Sequence, residues 1–286
     1  MAFQKLDVHG LLSDLIGDPG TTLFRPVFHL APNFPGLKKS GPLVSVIVAT
    51  RNDVATIERS IMSLINQTYH SLEIIVVDDA SDDGASAIIS SLANRDSRVV
   101  HLLNDSQRGT GASRNVGLRA ASGMFATFHD GDDVSEPKRL ELQMRALGND
   151  RTKELCLCSY VRTNNRGRGI EINDQRMMKC IISMMFRREL VLNRVGFFLN
   201  ESVGEDSDFY ERIKIVFGAN SEVVLPKILY RALYRRGSSF FSSVEVLTED
   251  EQGLRYKVLE ESARRNELMK KRHAAMRASR AALRVE

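Results

Sequence analysis

The strongest constraint on the fold is a run of apolar residues that does not alternate. Leu43 to Thr50 reads LVSVIVAT. A half-exposed strand alternates polar and apolar residues; a strand covered on both faces, as in a parallel sheet, does not. The next segment changes period. Ile57, Ile61, Leu64 and Ile65 fall on one helical face, and Asn52 or Asp53 can cap its start. The same pair then recurs. Leu72 to Val77 predicts a second buried strand, followed by a helix to about Asn94. Arg98 to Leu103 predicts a third strand, with a helix between Gly109 and Ala121. Met124 to His129 predicts a fourth, with Pro137 opening another helix. Such alternation with right-handed crossovers makes an α/β, Rossmann-like, doubly wound sheet.

The rest of the chain is less regular. Strands are expected at Leu155–Val161, Cys180–Phe186 and within Val223–Tyr234. Helices are expected at Arg188–Val195 and Asp206–Phe217. A polar loop rich in Arg and Asn spans Arg162 to Asn173. Residues 1–42 carry repeated Pro and Gly breaks and read as a separate arm with a short helix near Leu11–Ile16. The arm is expected to pack on the main domain or on a second copy in a homo-oligomer. The organisation is therefore an arm over 1–42 and a catalytic-sized domain over 43–245. Its halves are 43–150 and 151–245. A basic helical tail over 246–286 follows, starting near Thr248.

Charge is uneven. The chain is +4 overall, but residues 253–286 hold ten Lys/Arg against four Asp/Glu. The body is slightly acidic, which excludes the broad basic surface of a nucleic-acid binder. The basic tail intersperses Leu254, Val258, Met269, Met276 and Leu283 with its cations. It suits either an anionic membrane surface or a docked partner helix. No apolar stretch is long enough to span a bilayer, and the first residues lack a signal-peptide pattern. A cytoplasmic protein is expected, with contact at the inner face of the membrane through the tail. Three cysteines, Cys156, Cys158 and Cys180, fit neither a disulfide framework nor a zinc site and read as buried strand residues.

Two acidic clusters fall at predicted strand ends, where open α/β sheets bind ligands. Asp130-Gly131-Asp132-Asp133 crowds three carboxylates. Crowding of that kind is costly unless a cation neutralises it, and hard oxygen ligands select Mg²⁺ or Mn²⁺. A solvated Asp-rich turn gives the same composition. Asp78-Asp79 suits a ribose or base contact, or a helix cap. Glu205, Asp206 and Asp208 open a helix, where the dipole favours acid, and one of them could serve as general base.

Six segments in order carry a resemblance: VSVIV with Asn52, SIMSLINQTY, EIIVVDDAS, GASRNVG, FHDGDDVSEPKRL and GEDSDFYER. From Val44 to about Phe241 the chain resembles family 2 glycosyltransferases of the A-type glycosyltransferase fold, with a mixed sheet. The resemblance implies an inverting transferase. It would move a sugar from a nucleotide-sugar donor, a UDP-sugar, to a hydroxyl of a glycan or lipid-linked glycan. It implies that Asp79 contacts the nucleoside, with Ala49, Arg51, Arg114, Asp130, Gly131 and Asp132 around the donor. Asp130, Asp132 and Asp133 would hold the divalent metal, and Arg114 with Asn115 would support the diphosphate region. Glu205 lies on the acceptor side and Asp206 is the general base. Arg231, Arg235 or Arg236 would reach the phosphates. Arg51 stands where many members carry an aromatic residue, and His129 takes a normally apolar position, which reads as structural. The chain has no Trp and so no Gln-x-x-Arg-Trp motif, which argues against a processive synthase. A sugar-phosphate nucleotidyltransferase needs a Gly-rich loop after the first strand, and Ala49 to Asp53 has no Gly. The other reading is a catalytically inactive scaffold that binds a nucleotide sugar.

Overall fold

The apolar run that opens the domain is β1, Val44–Thr50, and it is buried along its whole length in the computed structural model. The structure describes residues 41–199, 204–236, 238, 241–250 and 253–279. The expected arm and its short helix lie outside the described residues. β1 pairs in parallel with β2 (Leu72–Asp78) on one side and β4 (Phe125–Asp130) on the other. β3 (Val99–Leu103) adds in parallel beyond β2. Helices α1 (Ile57–Ile65), α2 (Ala85–Arg95) and α3 (Thr110–Ala120) form the crossovers. Ile57, Ile61 and Leu64 are the buried face of α1, as the periodicity predicts.

Helix α3 packs against β1 and β2. It comes close because Gly117 has no side chain: a Cβ there would lie 2.4 Å from Cγ2 of the buried Ile47. Beyond β4 come a short strand β5 (Val134–Ser135), helix α4 (Arg139–Asn149) and the mixed half of the sheet. β6 (Leu155–Thr163), β7 (Gly169–Ile172), β8 (Met178–Arg187) and β9 (Glu222–Leu233) fill it. β8 runs antiparallel to both β4 and β6, while β9 lies parallel to β6 and pairs with β5. One sheet therefore runs through both expected halves of the domain. All three cysteines are buried on β6 and β8, with Cys158 opposite Cys180. The Arg- and Asn-rich loop is shorter than its composition suggests, because β7 occupies part of it.

The tail departs from expectation. Residues from Thr248 do not start a helix. β10 (Val244–Glu249) and β11 (Gly253–Val258) form an antiparallel hairpin, and β11 pairs in parallel with β7. The expected boundary at 246 thus falls inside β10. Leu254 is buried in this small sheet beside Ile170 and Ile172. Alternation of small apolar groups with Arg and Lys is compatible with period 2 as well as 3.6, and the available edge of β7 decides it.

The tail helix, α7, covers Glu260–Ser279. It docks on α6 (Glu205–Phe217), and α6 packs on α5 (Arg188–Val195). The docking combines the buried Met276 with a set of ionic contacts. Asp208 is fully buried; its Oδ1 accepts from Arg272 at 2.6 Å and lies 2.9 Å from His273 Nε2. Its Oδ2 accepts from Arg212 Nε at 2.8 Å, and Arg212 also donates to the carbonyls of Val195 and Phe197. Burial acts to raise the Asp208 pKa, but Arg212, His273 and Arg272 outweigh it and hold it below the usual carboxylate value. Removing this charge strands the Arg212 and Arg272 guanidinium groups, and breaking a buried pair costs about 3–5 kcal/mol. Asp208→Asn is expected to lose about that much stability in urea unfolding at pH 7. The folded pKa is depressed, so the contribution is present above the unfolded value of about 3.9 and is lost as pH falls through the folded value. The gap between wild type and variant should therefore close under acid conditions; a gap that persists there contradicts the assignment.

Candidate active site

The carboxyl ends of β1, β2 and β4 open into a cavity of about 660 Å³. The turn after β1 sets its floor. Thr50 Oγ1 donates to Asp53 Oδ2 at 2.8 Å. Asn52 takes a positive φ of 55°, its backbone N–H donates to Ser81 Oγ, and its Oδ1 accepts from the Asp82 N–H. The ends of β1 and β2 are thereby stapled together. Gly131 presses on the same turn: a Cβ there would lie 2.4 Å from Thr50 Oγ1 and 2.8 Å from Asp53 Oδ2. The glycine between Asp130 and Asp132 is thus required by a close approach to β1. Ala49 lines the cavity, and Arg51 stands exposed at its edge.

Asp79 is buried and fully engaged. Its Oδ1 accepts from Asn104 Nδ2 and the Arg108 N–H, both at 2.8 Å, and its Oδ2 accepts from the Gly109 N–H at 2.8 Å. Burial raises its pKa, but these donors prevail and lower it. Asp79 therefore holds the loop that leads into α3, and that loop forms one wall of the cavity through Gln107 and Gly109.

Carboxylates gather on the opposite wall. Asp132 is pushed up to about 6 by burial and then by Asp130 and Asp53, against the opposing charge of Arg235. Arg235 sits between two of them, 3.0 Å from Asp53 Oδ1 and 3.2 Å from Asp132 Oδ2. Asp133 points elsewhere. Its Oδ1 accepts from the Leu233 N–H at 2.8 Å, and it receives the Tyr230 hydroxyl, whose oxygen accepts from the Asp130 N–H. Burial and its two Asp neighbours hold Asp133 well above the ordinary carboxylate range. It pins β9 at the cavity wall. Among the described residues, no group of three His, Cys, Asp or Glu side chains converges on a metal position. Of the expected trio, Asp133 is hydrogen-bonded to β9, while Asp130 pairs with Arg114 and Asp132 with Arg235.

His129 is structural, as its position suggested. It is fully buried, its Nδ1 lies 2.8 Å from the Asp130 carbonyl, and burial with the nearby Arg139 lowers its pKa to about 3. Asn115 also serves the scaffold instead of the diphosphate region, exchanging two hydrogen bonds with the backbone of Phe198.

Arg114 joins the two sides. It is buried beside the Phe128 and Phe198 rings, donating from Nη2 to Asp130 Oδ1 at 2.8 Å and from Nη1 to Glu205 Oε1 at 2.7 Å. Burial opposes its charge, but Asp130, Glu205 and Asp206 more than compensate, so it stays protonated. Burial raises the Glu205 pKa, with Arg114 opposing. Asp206 is half-buried, lines the cavity, and accepts at Oδ1 from the Ser207 N–H. The structure therefore brings Ala49, Arg51, Asp79, Arg114, Asp130, Gly131, Asp132, Asp133, Glu205 and Asp206 to one cavity. Of the three late arginines, Arg235 lines it, whereas Arg231 pairs with Glu136 and Arg236 with Glu249. Asp53 and Tyr230 were not foreseen as site residues. Asp53 reads as a helix cap, and nothing in the sequence around Tyr230 points to Asp130 or Asp133.

The family model described as Glycosyl transferase family 2 matches residues 45–198. The chain belongs to glycosyl transferase family 2. The match covers β1 to α5 and so includes the acidic end of β4, while Asp206 lies beyond it. A "GalNAc(5)-diNAcBac-PP-undecaprenol beta-1,3-glucosyltransferase" of Campylobacter jejuni is 42% identical over 93 residues, 32% of this chain and 30% of that protein. "UDP-Glc:alpha-D-GlcNAc-diphosphoundecaprenol beta-1,3-glucosyltransferase WfgD" of Escherichia coli is 38% identical over 105 residues, 37% of this chain and 41% of that protein. The chain spans less than half the length of these curated relatives. Among solved structures, S. aureus TarS 1-349 in complex with UDP-GlcNAc matches with TM-score 0.59 and 24% identity, over 71% of this chain and 62% of that one. The mannosyltransferase PcManGT from Pyrobaculum calidifontis, in complex with GDP-Man and Mn²⁺, matches with TM-score 0.56 and 23% identity, over 70% and 59%. At these identities the likeness shows a shared fold, the A-type glycosyltransferase fold.

The packing at Gly131 carries a direct consequence. Gly131→Ala forces Thr50 and Asp53 apart, and overpacking of this kind costs about 1–3 kcal/mol. Urea unfolding should show that loss; an unchanged midpoint would mean that the β1 turn yields freely.

Proposed function

We propose that the chain transfers a sugar from a nucleotide-sugar donor, a UDP-sugar, to an acceptor hydroxyl with inversion at the anomeric carbon. The observation that carries this reading is the Arg114 fork. It sets the acidic end of β4 and the start of α6 on two sides of one cavity. The donor nucleotide would lie between the β1 turn and the loop held by Asp79. Its diphosphate would lie at Asp130 and Asp132.

The residues there fit a divalent cation, Mn²⁺ or Mg²⁺. Burial, and then crowding with Asp130 and Asp53, pushes Asp132 up to about 6, and Arg235 already stands between Asp53 and Asp132 as a cationic group. Asp130 and Asp132 would hold the ion with phosphate oxygens completing its shell, the usual arrangement at nucleotide sites. Bound there, such an ion offsets the charge of a departing diphosphate.

Asp206 is the carboxylate placed for the proton. Glu205 is committed to Arg114, whereas Asp206 accepts from the Ser207 N–H and, among the described residues, forms no ion pair. The acceptor oxygen would attack the anomeric carbon while its proton passes to Asp206. The bond from that carbon to the diphosphate would break in the same displacement, releasing the nucleoside diphosphate. A lipid-linked glycan is the acceptor class that the named activities of the C. jejuni and E. coli relatives support. The exposed Arg264, Lys270 and Lys271 of α7 offer a basic face for a membrane that carries such an acceptor. No helix among the described residues is long and apolar enough to cross one.

The test is nucleotide release from a panel of nucleotide sugars with Mn²⁺, Mg²⁺ or EDTA, with and without lipid-linked acceptors. Release should require metal and be lost in Asp132→Asn. Asp206→Asn should lower kcat by about 10²–10⁴ while donor binding stays intact, as expected for loss of a positioned base. Metal-dependent nucleotide binding without release from any donor and acceptor leaves the scaffold; absence of both binding and release sinks both readings.

A further inference from the structure

A second cavity, of about 870 Å³, adjoins the first. Asp53 and Arg235 line both, so their ion pair forms part of the shared wall. The two cavities differ in charge. The first is crowded with carboxylates. The second is lined by Arg59 of α1, Arg166 and Arg168 from the turn between β6 and β7, and Arg235 and Arg236 after β9. Among the described residues two carboxylates face it, Asp53 and Glu249, and both are already taken, by Arg235 and Arg236.

The remaining arginines have no carboxylate partner among the described residues. Arg59, Arg166 and Arg168 form no ion pair among the described residues, and Arg59 Nε is buried without a hydrogen-bond partner. The turn that carries two of them is built, not slack. Asn164 Oδ1 accepts from the Arg166 and Arg168 N–H groups, each at 3.0 Å. The Asn164 N–H donates to the Arg168 carbonyl, and Gly167 takes a positive φ of 74°. Ordering like charges around one space costs free energy unless an anion joins them. Guanidinium forks match phosphate oxygens in pairs, which selects a phosphate-bearing ligand over a simple carboxylate.

We propose that this cavity is a diphosphate site that works without metal. It is distinct from the donor position, where an anion meets Asp53, Asp130 and Asp132 and needs a cation. The site itself stands on the arginines. Only the source of its ligand rests on the transferase reading, under which the diphosphate linking an acceptor glycan to its lipid would occupy it.

Calorimetric titration of the full chain with inorganic pyrophosphate in EDTA tests it. Saturable binding is expected, unaffected by Asp132→Asn. It should weaken by about tenfold or more in the triple variant Arg59→Ala/Arg166→Ala/Arg168→Ala. The exposed pair Arg166→Ala/Arg168→Ala alone should weaken it by about threefold or more, which keeps the test valid if loss of Arg59 harms folding. No binding in EDTA, or binding that the arginine variants leave unchanged, overturns the site. So does binding that responds to Asp132→Asn instead, since this places it in the donor pocket. Titration with farnesyl diphosphate separates the sources. Tighter binding than pyrophosphate, with the same arginine dependence, supports the site and assigns it to a lipid-borne diphosphate. Equal binding supports the site for a free anion. Metal-dependent UDP binding, measured on the same variants, keeps the two readings apart. If it persists while pyrophosphate binding is absent, the site fails and the transferase stands.

Discussion

A single buried guanidinium holds the two halves of this molecule in register. Arg114 sits on α3, between the parallel strands and the mixed part of the sheet, and reaches Asp130 and Glu205 together. Glu205 and the Arg114 guanidinium are buried and could not stay charged there alone, while Asp130 reaches them from the partly exposed cavity side. The pairing therefore ties the end of β4 to the start of α6, although the residues lie 91 positions apart in sequence. Gly111 supports the approach, since a Cβ there would lie 3.3 Å from Glu205 Cγ. Phe128 and Phe198 close around the guanidinium and keep water away, which strengthens both ion pairs.

The acidic start of α6 illustrates how one short segment divides its charges. Glu205 faces Arg114, Asp206 faces the cavity, and Asp208 turns inward to Arg212, Arg272 and His273. At helical spacing, neighbouring positions point about 100° apart, so three acids in four residues serve three surroundings. The basic tail answers the third. Its charge, which suggested a membrane or a partner, is spent in part on holding α7 to the domain.

Much of the candidate site was legible. The four apolar strands, their acidic ends and the α6 start were all visible as patterns, and Ala49, Asp79, Arg114, Asp130, Asp132, Glu205 and Asp206 do share a cavity. What was not legible was the partner of each group. Asp133 looks like its neighbours in sequence, yet it bonds to the Leu233 N–H a hundred residues away. Asp79 reads as a nucleoside contact or a helix cap, and the three donors that occupy it come from the loop ahead of α3. The hairpin of β10 and β11 was missed because its pairing edge belongs to β7, which periodicity alone did not reveal.

The sequence by itself determined the parallel α/β core, because a strand buried on both faces must be continuously apolar and its crossover helices must carry a 3.6-residue stripe. It also determined where carboxylates end up, since strand ends follow directly from the strands. The tertiary structure alone decided which carboxylates stay available and which are consumed as anchors. It also decided that the tail docks through Asp208 and that unpaired arginines surround a second cavity. The physical reason is range. Periodicity is a local property of the chain. Burial and charge pairing depend on groups brought together from distant positions, and their free energies are set by neighbours the local sequence does not contain.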